Sequence, residues 1–227
     1  MKNLHWSLLP ALLFTSSLIN AQSVQGDVEG LWTAGVSMNI SDKTKLFAVG
    51  ARDNKLNANA AMIMGMTRLN KNISLSPAYA FVDTPPVNGF RYQEHSIFGS
   101  VTLSLPIKNF VLDDRNMIQQ RLRRNLSDLA FYRNRLRFTY STIIQKKPFR
   151  LFAYDEVYYN ATGGIWDRNR WSGGAAIFLF GFLYCECAYV RETNKNSRDR
   201  ELLNISFLVT LEKWGVFQKN KKTGGTN

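Results

Sequence analysis

Cysteine is almost missing from this 227-residue chain. The two present, Cys185 and Cys187, sit at i and i+2 on what reads as one strand, with side chains on one face. That spacing is poor for a disulfide, and no nearby histidine or cysteine completes a metal set. A disulfide-stapled scaffold is therefore excluded, and the pair reads as two small apolar residues. Histidine is as scarce, with only His5 and His95. There is no HExxH and no glycine-rich phosphate loop, so neither metal nor cofactor is expected. Acid is in deficit, at 17 acidic against 29 basic residues and a net charge of +12. The basic residues do not gather on a helix or in a nucleic-acid motif, and no nucleic-acid partner is expected. Long apolar runs are missing as well. Beyond residue 21 none reaches about 18 residues, the least that a membrane helix needs. The longest, 175–185, is broken at Gly181.

What is present falls into three parts. Residues 1–21 read as a secretory signal peptide: Lys2 is the positive start, Leu8 to Phe14 the apolar middle, and Ala21 the last residue before the cut. Removing them removes one charged residue, so the mature net charge is 12 − 1 = +11. Residues 22–217 read as one barrel domain and 218–227 as a disordered basic tail. Within the middle part, side-chain character alternates with a period of two, the mark of strands. The clearest case is 131–141. Arg133, Arg135 and Arg137 share one face with Phe131, Thr139 and Ser141, and Tyr132, Leu136, Phe138 and Tyr140 lie on the other.

About eleven such segments can be traced. Short turns fall at 41–43, 70–72, 106–109, 145–148 and near 181, and longer loops at 83–90, 160–168 and 193–199. Alternating connections of this kind suit an all-β, up-and-down antiparallel transmembrane β-barrel of about 10–12 strands. Ten or twelve is the sharper expectation, because single-chain bacterial barrels of the outer membrane have even counts. Either 22–30 adds a strand or one segment has been split. Pro77 falls inside a strand pattern and is expected at a bulge.

Periodicity cannot say which face meets which solvent. Three features favour lipid outside: strands of about ten residues or more, export without disulfides, and aromatics near strand ends (Tyr154, Tyr158, Tyr159, Trp166, Trp171, Trp214 and Phe217) like an interfacial girdle. The lumen-lining candidates are then Arg52, Glu94, Arg115, Gln119, Arg121, Arg133, Arg135, Arg137, Glu156, Arg170 and Glu186.

The segments Gly30-Leu31-Trp32-Thr33, Arg115 to Arg121, Arg133 to Arg137, Asp155-Glu156-Val157 and Asn169-Arg170 occur in an order and spacing that resembles an uncharacterised family of bacterial outer-membrane barrels, a domain of unknown function. The resemblance spans residue 30 to about 211, with Gln119 standing where the family pattern has an acid. It implies a barrel in the bacterial outer membrane, with lipid and the barrel-assembly machinery as partners. It implies no activity.

The expected function is a structural or permeability role with an arginine-rich lumen, in its sharper form a small anion-preferring pore. The alternatives are a lipid-modifying outer-membrane enzyme, or a soluble secreted barrel that binds an apolar ligand. The enzyme would depend on His95. Its neighbours Glu94 and Ser96 point to the opposite face of the strand, as do Asp155 and Glu156 from each other. No catalytic set is therefore expected.

Overall fold

A computed structural model describes residues 28–87, 90–195 and 197–211. The expected signal peptide, the tail, Trp214 and Phe217 lie outside these. The described chain is all strand and turn. The strands are β1 (Glu29–Asn39), β2 (Thr44–Asp53), β3 (Ala58–Arg68), β4 (Ile73–Val87), β5 (Phe90–Ile107), β6 (Phe110–Arg123), β7 (Leu129–Ile144), β8 (Lys147–Asn160), β9 (Ile165–Leu179), β10 (Leu183–Asn194) and β11 (Arg200–Leu211). Each is hydrogen-bonded to its sequence neighbours, and β1 closes the barrel against β11. Closure leaves no free edge.

Among the described residues the strand count is eleven, neither ten nor twelve. The odd number has a geometric consequence. β1 and β11 run in the same direction, so the closing ladder is parallel, from Glu29↔Leu202 to Met38↔Leu211. A parallel ladder is slightly weaker per residue than an antiparallel one. Side chains inside the barrel reinforce the seam. The Ser37 hydroxyl donates to Thr210 Oγ1 at 3.2 Å, and Thr33 donates to Asn204 Oδ1 at 3.4 Å. At one end Arg200 Nε donates to Glu29 Oε2 at 2.7 Å and its Nη2 to Asp53 Oδ2 at 2.5 Å, tying β11 to β1 and β2.

The strands are longer than their sequence pattern suggested, at the expense of the loops. Asp83 to Pro86 belong to β4, and Trp166 and Asp167 to β9. A paired ladder satisfies backbone groups even through proline-rich or charged stretches. The register slips near Thr84/Val87 and at Tyr158/Tyr159, and not at Pro77, where the bulge was expected. There Met64↔Ala78 and Thr67↔Leu75 keep one register. Pro77 points outward and simply omits a donor.

The two faces are unlike. Outward rows such as Trp32–Ala34–Val36 on β1 and Ile97–Val101–Leu103 on β5 are exposed, while Ser37, Glu94, Ser96, Ser100, Gln119, Glu156, Ser172 and Glu192 are buried inside. Apolar outside and polar inside inverts the arrangement of a water-soluble barrel. Aromatics cluster outside at both ends, with Tyr159 against Trp166 and Trp171 against Tyr189 at one, and Phe110 between Phe138 and Tyr140 at the other. Tyr154 and Tyr158, expected in this girdle, face inward instead, because they share parity with Glu156. A polar group interrupts the outer surface: Asn134 Nδ2 donates to Asp114 Oδ1 at 2.6 Å, and the Tyr132 hydroxyl to Asn116 Oδ1 at 2.5 Å.

The interior is also asymmetric. On β1–β4 it presents small or flexible groups such as Ala51, Ala60, Met62, Met64, Ala78 and Ala80, in register with one another. The Ala–Met row of β3 therefore faces inward. On β6–β11 the interior is crowded. A Cβ at Gly174 would lie 2.5 Å from the Cys187 carbonyl oxygen, 2.7 Å from Phe152 Cζ and 2.8 Å from Ala188 Cβ. Gly174→Ala is expected to destabilise by about 1–3 kcal/mol through overpacking. Gly173→Ala points outward, where the nearest atom is 4.0 Å away, and should be close to neutral. Urea-unfolding midpoints in detergent check the contrast.

Candidate functional site

The charged residues of β5–β10 meet inside the barrel because inward positions on neighbouring strands fall in register. Thr102 stands opposite Arg115, Arg115 opposite Arg135, Arg135 opposite Glu156, and Glu156 opposite Arg170. Arg170 in turn faces Glu192. One row of the barrel wall thus reads Arg115, Arg135, Glu156, Arg170, Glu192, and the alternation of strands β6 to β10 produces it.

Three carboxylates organise these arginines. Glu156 accepts from Arg115 Nη2 at 2.6 Å, from Arg133 Nη2 at 3.0 Å and from the Tyr158 hydroxyl at 3.0 Å. Glu94 accepts from Arg121 Nε at 2.8 Å and Nη2 at 2.5 Å, from Ser96 at 2.8 Å, and from the Tyr92 hydroxyl. Glu192 takes a fork from Arg170 and lies 3.3 Å from Arg168 Nη1. Nearer the other end, Arg137 on β7 reaches Glu186 on β10 at 3.5 Å, and Tyr184 donates to Glu186 at 2.5 Å. Arg133 Nη1 also donates to Gln119 Oε1 at 3.1 Å. Gln119 stands in a row of cations as a neutral acceptor.

Ten of the eleven expected lumen residues face inward. Arg52 does not. It shares a register level with Trp32 and Asn59 on the outer face, is exposed, and donates to Asn59 Oδ1 at 2.8 Å and to Asn57. The inward residue of that pair is Asp53, which reads as a turn residue in the sequence. Arg168, Glu192, Arg200, Glu29 and Tyr158 also belong to the network. Parity with Arg170 places Arg168, parity with Glu186 places Glu192 and parity with Glu156 places Tyr158, but Arg168 falls in a segment that reads as a loop.

Arginines without a full set of carboxylates are shared with aromatic rings. Arg133, Arg168 and Arg170 place their guanidinium carbons 4.4, 5.2 and 5.4 Å from the Tyr158 ring centre, and Arg137 lies 4.1 Å from that of Phe152. These are cation–π distances. Arg135 has its ring contact at 5.4 Å, to Tyr154, and no carboxylate within ion-pair distance among the described residues.

His95 faces outward, as expected. Its Nδ1 is 2.6 Å from the Tyr79 hydroxyl and its ring packs on Phe81. Glu94 and Ser96 are hydrogen-bonded to each other on the opposite side of the wall. Cys185 and Cys187 are free thiols on the outward face. Among the described residues no group of three or more His, Cys, Asp or Glu is placed to hold a metal ion.

The model of a family described as a protein of unknown function, DUF2490, matches residues 29–202, which take in the whole charged network and end within β11. None of the curated proteins matches the chain. Among solved structures, the chain is similar to one titled "Bacterial polysaccharide outer membrane secretin", at 9% identity and a TM-score of 0.49, over 73% of this chain and 63% of that one.

Proposed function

This chain belongs to the DUF2490 family of proteins of unknown function, and on that premise we propose that it is an outer-membrane barrel with a permeability role whose lumen prefers small anions. The exposed apolar rows and the aromatic clusters at both ends support a lipid-facing exterior over a soluble barrel with an apolar interior. Lipid is then the partner of the outer face, and the assembly machinery that of insertion. The leader read at residues 1–21 fits export.

One observation carries the anion preference: the unequal exposure within the ion pairs. The side chains of Arg115, Arg121, Arg133, Arg168 and Arg170 are 14–27% exposed, whereas those of Glu94, Glu156 and Glu192 are 5, 2 and 1% exposed. The carboxylates sit against the wall behind their partners. A solute inside the barrel meets guanidinium groups first, and a ring of such cations selects for anions.

The test is a current recording on the purified mature protein in a planar bilayer under a salt gradient. Steady conductance with an anion-side reversal potential is expected. Arg135→Gln leaves every ion pair intact and should lower the selectivity, and neutralising Arg133 and Arg137 as well should abolish it. Silence from a folded, heat-modifiable protein would overturn the proposal and make the arginines scaffold.

A further inference from the structure

Arg121, Arg133, Arg168 and Arg170 line a cavity of about 170 Å³ together with Glu94, Gln119, Phe131 and Tyr158. We propose that this chamber binds a compact tetrahedral oxyanion, a phosphate or sulfate group. The proposal deepens the reading of an anion-preferring lumen and rests on it.

Charge is the first argument. Arg115, Arg121, Arg133, Arg168 and Arg170 share Glu94, Glu156 and Glu192, and Arg135 beside them has only its ring contact, which leaves 6 − 3 = +3. Enclosed charge of one sign is tolerated when a counter-charge accompanies it. The cations are also crowded. Arg133, Arg168 and Arg170 all lie around the Tyr158 ring, so no two of their guanidinium carbons are more than 5.2 + 5.4 = 10.6 Å apart. An anion among them relieves the repulsion of all three.

Donor chemistry is the second. Arg121 and Arg170 each bind their carboxylate through Nε and Nη2, a fork that does not use Nη1. The Nε groups of Arg133 and Arg168 are buried without a hydrogen-bond partner. Guanidinium groups match the oxygens of phosphate in geometry and are weakly hydrated. The cavity has room for several water molecules at roughly 30 Å³ each, and hence for one phosphate-sized ion. A single carboxylate, Glu94, lines it, already held by Arg121.

The mature protein in detergent, in phosphate-free buffer, is titrated calorimetrically with inorganic phosphate. Saturable binding is expected, displaced by sulfate and far less effectively by chloride. Arg168→Gln keeps the Arg170–Glu192 fork and should weaken phosphate binding at least about tenfold, which is 1.4 kcal/mol. Arg52→Gln, on the outer face, should leave it unchanged. Phosphorus analysis of the protein extracted from membranes separates the sources. Phosphorus that partitions into organic solvent marks a lipid headgroup, and phosphorus that stays in water marks a free or sugar phosphate. A folded protein with no saturable heat, or one for which chloride competes as well as sulfate, overturns the chamber. Conductance is recorded on the same preparation. Anion current without phosphate binding defeats the chamber alone, and binding without current defeats the pore alone.

Discussion

Glu156→Gln is expected to be the most damaging single change inside the barrel. Glu156 is nearly inaccessible to water and is the shared acceptor of Arg115, Arg133 and Tyr158. Neutralising it leaves Arg115 and Arg133 without their carboxylate, beside Arg135, which stands opposite Arg115 in register. Removing one member of a buried ion pair typically costs about 3–5 kcal/mol. Two cations are stranded here, so the upper part of that range applies. The readout is the urea midpoint of unfolding in detergent, followed by tryptophan fluorescence. The double variant Glu156→Gln, Arg115→Gln removes one stranded charge and should recover part of the loss. A loss below about 1 kcal/mol would mean a solvated carboxylate, as in exposed pairs, and would sink the picture of carboxylates shielded behind arginines.

The sequence reveals this network unevenly, and the reason is parity. Arg133, Arg135 and Arg137 alternate with aromatic and aliphatic residues over a long stretch, so their common face is plain in one dimension. Glu94, Arg115, Arg121, Glu156, Arg170 and Glu186 follow by the same count along their own strands. The count fails where a strand end resembles a turn. Asp53 and Arg52 are adjacent, and only the pairing of Leu31 with Asp53 shows that the acid points inward. Arg168 keeps the parity of Arg170 but lies beside a register slip, in a segment that reads as a loop, so the count stops short of it. Which carboxylate serves which arginine is beyond a single strand's pattern altogether, because Arg137 and Glu186 meet from β7 and β10. The same holds for the closure: an even count is the rule for barrels closed by antiparallel pairs, and only the β1–β11 register reveals a parallel seam.

Ile63→Arg tests the other half of the reading, the solvent outside. Ile63 is the sixth of eleven residues in β3, points outward at 48% exposure, and is flanked in register by Ala48 and Tyr79. Ala61, Gly50 and Phe81 continue the apolar surface around it. In a bilayer an arginine near mid-strand loses hydration without gaining a partner, and the expected cost is about 2–4 kcal/mol. Leu69→Arg, in the turn that ends the same strand and equally exposed, should cost about 0–1 kcal/mol, because depth sets the penalty. On a water-facing surface both changes would fall within about 0.5 kcal/mol of zero. Folding free energies in lipid vesicles decide it. A steep difference between mid-strand and turn supports lipid around the barrel. A flat profile would mean water outside, and the inverted distribution of apolar and charged side chains would then require a protein partner over the apolar rows.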